Sequence, residues 1–83
     1  MNQGMSELSK RLLSTLLVLG ANSPEKALTI EEVATKLGMH RSTIEPELRA
    51  LVEAGYARQD EIRGSFRVCL TGTGIITASS TYS

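Results

Sequence analysis

Residues 28–55 read LTIEEVATKLGMHRSTIEPELRALVEAG, and this stretch predicts two short helices joined by a tight turn. Thr29 and Glu32 have the spacing of a capping box, in which each side chain bonds to the backbone N–H of the other residue. Gly38 and Gly55 follow the two helices, at positions where a residue without a Cβ atom adopts the left-handed conformation at little cost. The start of the first helix and the ends of both are therefore predicted from local signals alone.

Apolar residues recur in both helices at the spacing that places them on one face of a 3.6-residue helix. One short helix cannot bury such a face alone, so the two helices are expected to pack across each other. The turn between them, Gly38–His40, is short and favours the steep crossing of a helix-turn-helix over an antiparallel hairpin. The two apolar faces consist of Ile30, Val33, Ala34 and Leu37 in the first helix and Ile44, Leu48, Leu51 and Val52 in the second.

A leucine-rich helix is predicted before this unit, over residues 7–19, with Ser6 as its N-cap. Its apolar stripe covers about half of the helix circumference, which is wider than one thin helical layer needs. Two interpretations follow: the whole stripe packs beneath the helix-turn-helix and the strands, or the surplus forms a homodimer interface made by Leu13 and Leu17. In the second interpretation Leu12 and Leu16 face the core of their own chain.

After Gly55 the apolar period changes from 3.6 to two, which predicts a β-hairpin. Its strands are Tyr56–Gln59 and Phe66–Leu70, and residues 60–65 form the loop. Alternation along the second strand directs Phe66, Val68 and Leu70 inward and leaves Arg67 and Cys69 facing out.

The remaining segments carry weaker signals. Residues 23–26 can form a single helical turn before a very short strand at Ala27 and Leu28. Glycine and β-branched residues after Thr71 predict at most a short helix. We expect one domain over residues 6–77, with disordered ends at residues 1–5 and 78–83.

The stretch LTIEEVATKLGMHRSTIEPELRALVEAGYA, residues 28–57, resembles the helix-turn-helix of winged-helix transcription regulators such as the multiple-antibiotic-resistance and arsenic-repressor families. The resemblance rests on LT-x-x-x-V-A-x-x-L-G, followed by a polar S-T-I and a leucine-rich run that ends in EAGY. It implies an α+β fold, a winged helix-turn-helix with a three-helix core and a C-terminal two-stranded wing. It also implies a DNA-binding transcription regulator.

In such proteins the second helix of the motif, here residues 42–54, enters the major groove, and the wing, here residues 56–70, contacts the DNA backbone. Centring the buried face on Ile44 directs Ser42, Thr43, Pro46, Arg49, Ala50 and Glu53 outward. Arg41 and Arg49 suit the role because a guanidinium binds a phosphate or guanine O6 and N7 with two donors. The candidate DNA-binding residues are His40, Arg41, Ser42, Thr43, Arg49, Arg58, Arg63 and Arg67.

Several of these residues also have a purely structural interpretation. Ser42 and Glu45 have capping-box spacing, His40 is a plausible turn residue, and Glu45 lies four residues before Arg49, where it favours an ion pair. Pro46 disfavours a helix interior, so the helix is expected to start near Ser42 or Thr43 or to be kinked.

The acidic residues of the second helix bear on its function. Carboxylates at Glu45, Glu47 and Glu53 repel phosphate, which supports a second candidate function, a winged-helix protein-interaction module that does not bind DNA.

Composition sets the remaining limits. The 83 residues carry nine Lys and Arg and nine Asp and Glu, so a DNA-binding surface requires the basic residues to be gathered on one side. One cysteine, Cys69, excludes an internal disulfide and suits a reducing cytoplasm. With one histidine there is little material for a metal site or a catalytic pair, and no cofactor, enzymatic activity or membrane span is expected.

Overall fold

The computed structural model describes residues 6–82, with side chains for residues 6–80. The predictions of disorder for residues 1–5 and Ser83 lie outside the described residues. A three-stranded antiparallel sheet in the order β1-β3-β2 packs with four helices, which confirms the predicted α+β winged-helix fold. In chain order the elements are α1 Glu7–Val18, a 3-10 turn Pro24–Lys26, β1 Leu28–Thr29, α2 Ile30–Leu37, α3 Arg41–Glu53, β2 Ala57–Ile62, β3 Ser65–Leu70 and α4 Gly72–Tyr82.

The start of α2 follows the predicted capping box. Thr29 Oγ1 accepts a hydrogen bond from the backbone N–H of Glu32 at 3.1 Å, and Glu32 Oε1 accepts one from the N–H of Thr29 at 2.8 Å. Gly38 ends the helix with a φ of 67°, the left-handed conformation expected there. Local signals in the sequence therefore locate both ends of this helix correctly.

The third helix, α3, begins earlier than predicted. Its N-cap is His40, whose side chain makes no capping hydrogen bond, so the expected start near Ser42 or Thr43 and the Ser42–Glu45 capping box are wrong. Pro46 is consequently the sixth residue of the helix. The missing N–H of proline is harmless only in the first turn of a helix, and Pro46 lies beyond that turn.

Replacing Pro46 with alanine is expected to stabilise the domain by about 1–3 kcal/mol, because alanine restores a backbone donor and removes a clash with the preceding turn. Pro24→Ala is the matched control. Pro24 opens the 3-10 turn, where its fixed φ is already suitable, so that substitution is expected to cost about 0.5–1 kcal/mol by freeing the unfolded chain. Urea denaturation of both variants measures the difference, and a large loss of stability in Pro46→Ala would contradict this account.

The wing is longer than predicted, and its turn is tighter. The strands β2 and β3 pair from Ala57 with Leu70 to Ile62 with Ser65, so the expected six-residue loop is replaced by a two-residue turn at Arg63 and Gly64. These two residues have φ values of 54° and 80°, as a type I′ turn requires. The turn escaped prediction because arginine is an unusual residue at a positive φ.

The inward and outward faces of β3 differ in part from the prediction. Phe66 alternates with Val68 and Leu70 along β3, but it lies next to the hairpin turn and is 46% exposed, so its predicted inward position is wrong. Cys69 was expected to face out and is instead buried, with 1% of its surface exposed. The reason is that β3 is the central strand and the chain between α1 and β1 crosses it, with Ala21 O accepting a 2.8 Å hydrogen bond from Leu70 N.

Cys69 is an unreactive thiol in this position. Burial raises the pKa of its thiol, and the nearby Asp60 carboxylate raises it further, while Arg58 acts in the opposite direction. The thiol therefore remains protonated at neutral pH and is a poor nucleophile.

The last helix, α4, is the main departure from the sequence analysis. It extends to Tyr82 and packs on α1 more extensively than any other helix does, so the predictions of a short helix and of disorder at residues 78–82 are wrong. Thr71 anchors its start, because Thr71 Oγ1 accepts from Gly74 N at 3.0 Å and donates to Gly55 O at 2.6 Å. Packing against α1 outweighs the low helix propensity of the segment.

The same packing changes the role of Leu13. Leu12, Leu13 and Leu16 have no exposed surface, and Leu17 is half-buried. Leu13 therefore belongs to the core of its own chain, and its assignment to a dimer interface is wrong.

Candidate nucleic-acid interface

The outward face of α3 is the surface that the helical period predicted. Its buried stripe consists of Ile44, Leu48 and Leu51, which pack into the common core. The opposite side is open to solvent along the whole helix. The exposed residues on it are Ser42, Thr43, Pro46, Arg49, Ala50 and Glu53.

The N-terminal end of α3 is open to a ligand. The side chain of its N-cap residue makes no capping hydrogen bond, and His40, Arg41, Ser42 and Thr43 are all exposed. The N–H groups of a first helical turn carry the positive end of the helix dipole, which favours phosphate oxygens.

Arg41 lies between two carboxylates at this end. One guanidinium nitrogen, Nη1, contacts Glu31 on α2, and the other, Nη2, lies 3.7 Å from Glu45 on α3. The ion pair predicted between Glu45 and Arg49 is therefore not formed. Arg49 has no ion-pair partner within the described part of the chain, and its guanidinium is available to a ligand.

Glu47, a second acidic residue of α3, is directed towards α1. Its Oε1 accepts hydrogen bonds from Ser9 Oγ at 2.8 Å and from Ser6 Oγ at 3.1 Å. Ser6 is the N-cap of α1, so the carboxylate also lies near the positive end of that helix dipole. The sequence carries no signal for this contact, because the residues it joins lie 38 and 41 positions apart.

These contacts reduce the electrostatic objection to DNA binding. Glu45 is paired with Arg41 and Glu47 is bound by α1, so their charges are partly balanced within the domain. Among the acidic residues of α3, Glu53 alone is exposed without an ion pair among residues 6–80.

The three arginines of the wing are not equivalent. Arg58 Nε lies 3.0 Å from Asp60 Oδ2, and Arg67 is half-buried with Nη1 donating to Ala27 O at 3.4 Å. Arg63 is exposed at the tip of the hairpin, and no ion pair joins it to any other described residue. The pairing register places Arg58 and Arg67 on the sheet face that turns away from Val68 and the helices.

The described residues form neither a metal site nor a membrane-spanning helix. Between residues 6 and 80, no group of three or more His, Cys, Asp or Glu side chains is arranged to hold a metal ion. None of the helices described is long and apolar enough to cross a membrane.

A capped α2 that ends at Gly38, a short turn, an exposed α3 and a β-hairpin together define a winged helix-turn-helix domain. The chain belongs to the family of IclR helix-turn-helix domains, whose model matches residues 10–61, more than half of its length. That family membership identifies it as a DNA-binding domain of the transcription-regulator type and confirms the function inferred from the sequence. No curated protein sequence matches the chain.

Solved structures with low sequence identity share the fold. A candidate DNA-binding protein of Ralstonia eutropha JMP134 is 20% identical with a TM-score of 0.81, and the match covers 96% of this chain and 100% of that one. ZitR of Lactococcus lactis is 16% identical with a TM-score of 0.77, over 99% of this chain and 53% of ZitR. MepR of S. aureus, in a DNA complex, is 20% identical with a TM-score of 0.75, over 94% of this chain and 62% of MepR. The chain thus spans the whole of the first protein and less than two thirds of each of the other two.

Proposed function

We propose that this domain regulates transcription in the cytoplasm by binding duplex DNA, with α3 in the major groove and the tip of the wing on the backbone. The observation that supports the proposal most directly is the accessibility of Arg49. It lies on the outward face of α3, exposed and without an ion pair among the described residues, while Glu45 and Glu47 are engaged elsewhere. MepR, which shares the fold, has been solved in complex with DNA, and this supports DNA as the ligand.

The candidate residues divide into three groups by their position in the fold. Arg49 and Arg41 reach base edges, because arginine is the usual ligand of guanine in the major groove. The exposed residues of the first turn, His40, Ser42 and Thr43, contact phosphate together with the N–H groups of the helix end. Arg63 contacts the backbone from the wing tip, and the paired side chains of Arg58 and Arg67 contribute less.

We also propose that the chain binds as a homodimer. A two-fold pair presents two copies of α3 to half-sites about 34 Å apart, one turn of the DNA helix. Since Leu13 is buried, the interface falls on apolar side chains that remain accessible, namely Leu17 and Val18 of α1 and Ile76 of α4. Val18 and Ile76 are 63% and 69% exposed, so both side chains are accessible to a second copy of the chain.

Arg49→Ala and Arg63→Ala are expected to weaken DNA binding in different ways. Loss of Arg63 removes a phosphate contact, so the salt dependence of binding to a random-sequence duplex becomes shallower by about 0.9 in log–log slope. Loss of Arg49 removes a base contact, so affinity for a duplex enriched from a random pool falls by about 1–3 kcal/mol, and affinity for random duplex falls less. Fluorescence anisotropy titrations at low and moderate salt measure both quantities.

Arg11→Ala is the matched control for both variants. Arg11 is an exposed arginine of α1, outside α3 and the wing, and its loss changes the net charge by the same amount. Binding that weakens equally in all three variants would point to a diffuse charge effect and contradict the assigned contacts. A wild-type protein that binds no duplex would leave the protein-interaction module as the better function.

A further inference from the structure

The two ion pairs of Arg41 are not explained by the stability of the fold alone. Its guanidinium bridges Glu31 of α2 and Glu45 of α3, and the three side chains are 47%, 61% and 40% exposed. Ion pairs this open to water contribute little to folding. Both ion pairs, however, lie at the N-terminal end of α3, the helix assigned to DNA, beside the N–H groups of its first turn.

The pairing distinguishes Arg41 from the other arginines assigned to DNA. Arg49 and Arg63 have no acidic partner within residues 6–80, so a phosphate meets no competitor at either side chain. At Arg41 a phosphate must displace two carboxylates, and it is repelled by both. A guanine edge is uncharged, so it is repelled far less and can accept from the donors that the carboxylates leave free.

We infer that Glu31 and Glu45 are specificity-determining residues for DNA binding. They hold Arg41 in one orientation at the start of α3 and suppress its use as a general phosphate ligand. Arg41 then contributes chiefly where a base edge is presented to it, so non-specific binding is weakened more than specific binding. The inference rests on the proposed function of α3.

The test compares Glu31→Gln and Glu45→Gln with Glu7→Gln. Each change removes one negative charge, and Glu7 also forms an exposed ion pair, 3.7 Å from Lys10 Nζ, but within α1 and outside the helix-turn-helix. The probes are a random-sequence duplex and the duplex enriched by the wild-type protein from a random pool. Anisotropy titrations over a range of salt give affinities, slopes and the affinity ratio of the two probes.

In Glu31→Gln and Glu45→Gln, freeing Arg41 to bind phosphate is expected to steepen the salt slope on random duplex by up to about 0.9. The affinity ratio of enriched to random duplex is expected to fall by about threefold, the size of one exposed ion pair. Glu7→Gln is expected to change neither quantity. In an Arg41→Ala background, Glu31→Gln is expected to lose its effect, because no guanidinium remains to be freed. The four proteins form a double-mutant cycle, which isolates the coupling between the two side chains.

The outcomes separate this inference from the function on which it rests. If the wild-type protein binds no duplex, both the inference and the proposed function are contradicted. If it binds but shows no preferred sequence, or if the Glu31 and Glu45 variants behave as Glu7→Gln does, the inference alone is overturned. An effect of Glu31→Gln that persists in the Arg41→Ala background would also overturn it, by showing that the carboxylate acts through its charge rather than through Arg41.

Discussion

Gly74→Ala is expected to destabilise the domain by about 3 kcal/mol, a large part of the stability of so small a protein. A Cβ atom at Gly74 would lie 1.8 Å from the carbonyl oxygen of Tyr56 and 2.8 Å from its carbonyl carbon. That oxygen accepts a hydrogen bond from Thr71 N at 3.1 Å, which joins the start of α4 to the chain after α3. The oxygen cannot move away without breaking this bond. The helix must move instead, and its packing on α1 is lost.

Gly72→Ala provides the control for this prediction. Gly72 lies in the same helix, and a Cβ atom there comes within 4 Å of no described atom outside its chain neighbours and the nearby backbone of its own helix. Because alanine restricts the unfolded chain and favours the helix, this change is expected to be neutral or to stabilise by up to about 1 kcal/mol. Urea denaturation of both proteins decides the matter, and equal stabilities would show that α4 does not approach Tyr56 closely in solution.

Leu13→Ala is expected to cost about 3–5 kcal/mol, the usual range for a leucine removed from a filled core. Leu13 has no exposed surface, and α4 packs over the helix that carries it. Val18→Ala, in the same helix at 63% exposure, is expected to change stability by less than about 1 kcal/mol. The measurement is again denaturation by urea.

Sedimentation equilibrium of the same proteins tests the homodimer. A dimeric wild type whose association weakens in Val18→Ala would support the accessible apolar surface as the interface. A Leu13→Ala protein that keeps its stability but dissociates would return Leu13 to the interface and contradict its place in the core. A monomeric wild type would remove the dimer from the proposed function.

The features that could be predicted from the sequence are those with local causes. Thr29 and Glu32 form a capping box within one helical turn, and Gly38 ends a helix through its own backbone conformation. The outward face of α3, including Arg49, follows from the helical period alone. Each of these signals is complete within a few residues.

The features that could not be predicted depend on segments distant in sequence. Cys69 is buried because the chain near Ala21 crosses β3, and α4 forms because α1 offers it an apolar surface. The contact of Arg41 with Glu31 was missed for a similar reason. Helical spacing relates residues within one helix, whereas Glu31 belongs to the other helix of the motif.

The hydrogen bonds of Glu47 to Ser6 and Ser9 also control the rotation of α3 about its own axis. Apolar contacts tolerate a small roll of one helix against another, whereas hydrogen bonds are directional and restrict it. Glu47 and Arg49 are two residues apart and so point about 200° apart around the helix. Fixing the carboxylate against the first turn of α1 therefore turns the guanidinium away from the domain, towards whatever lies in front of it.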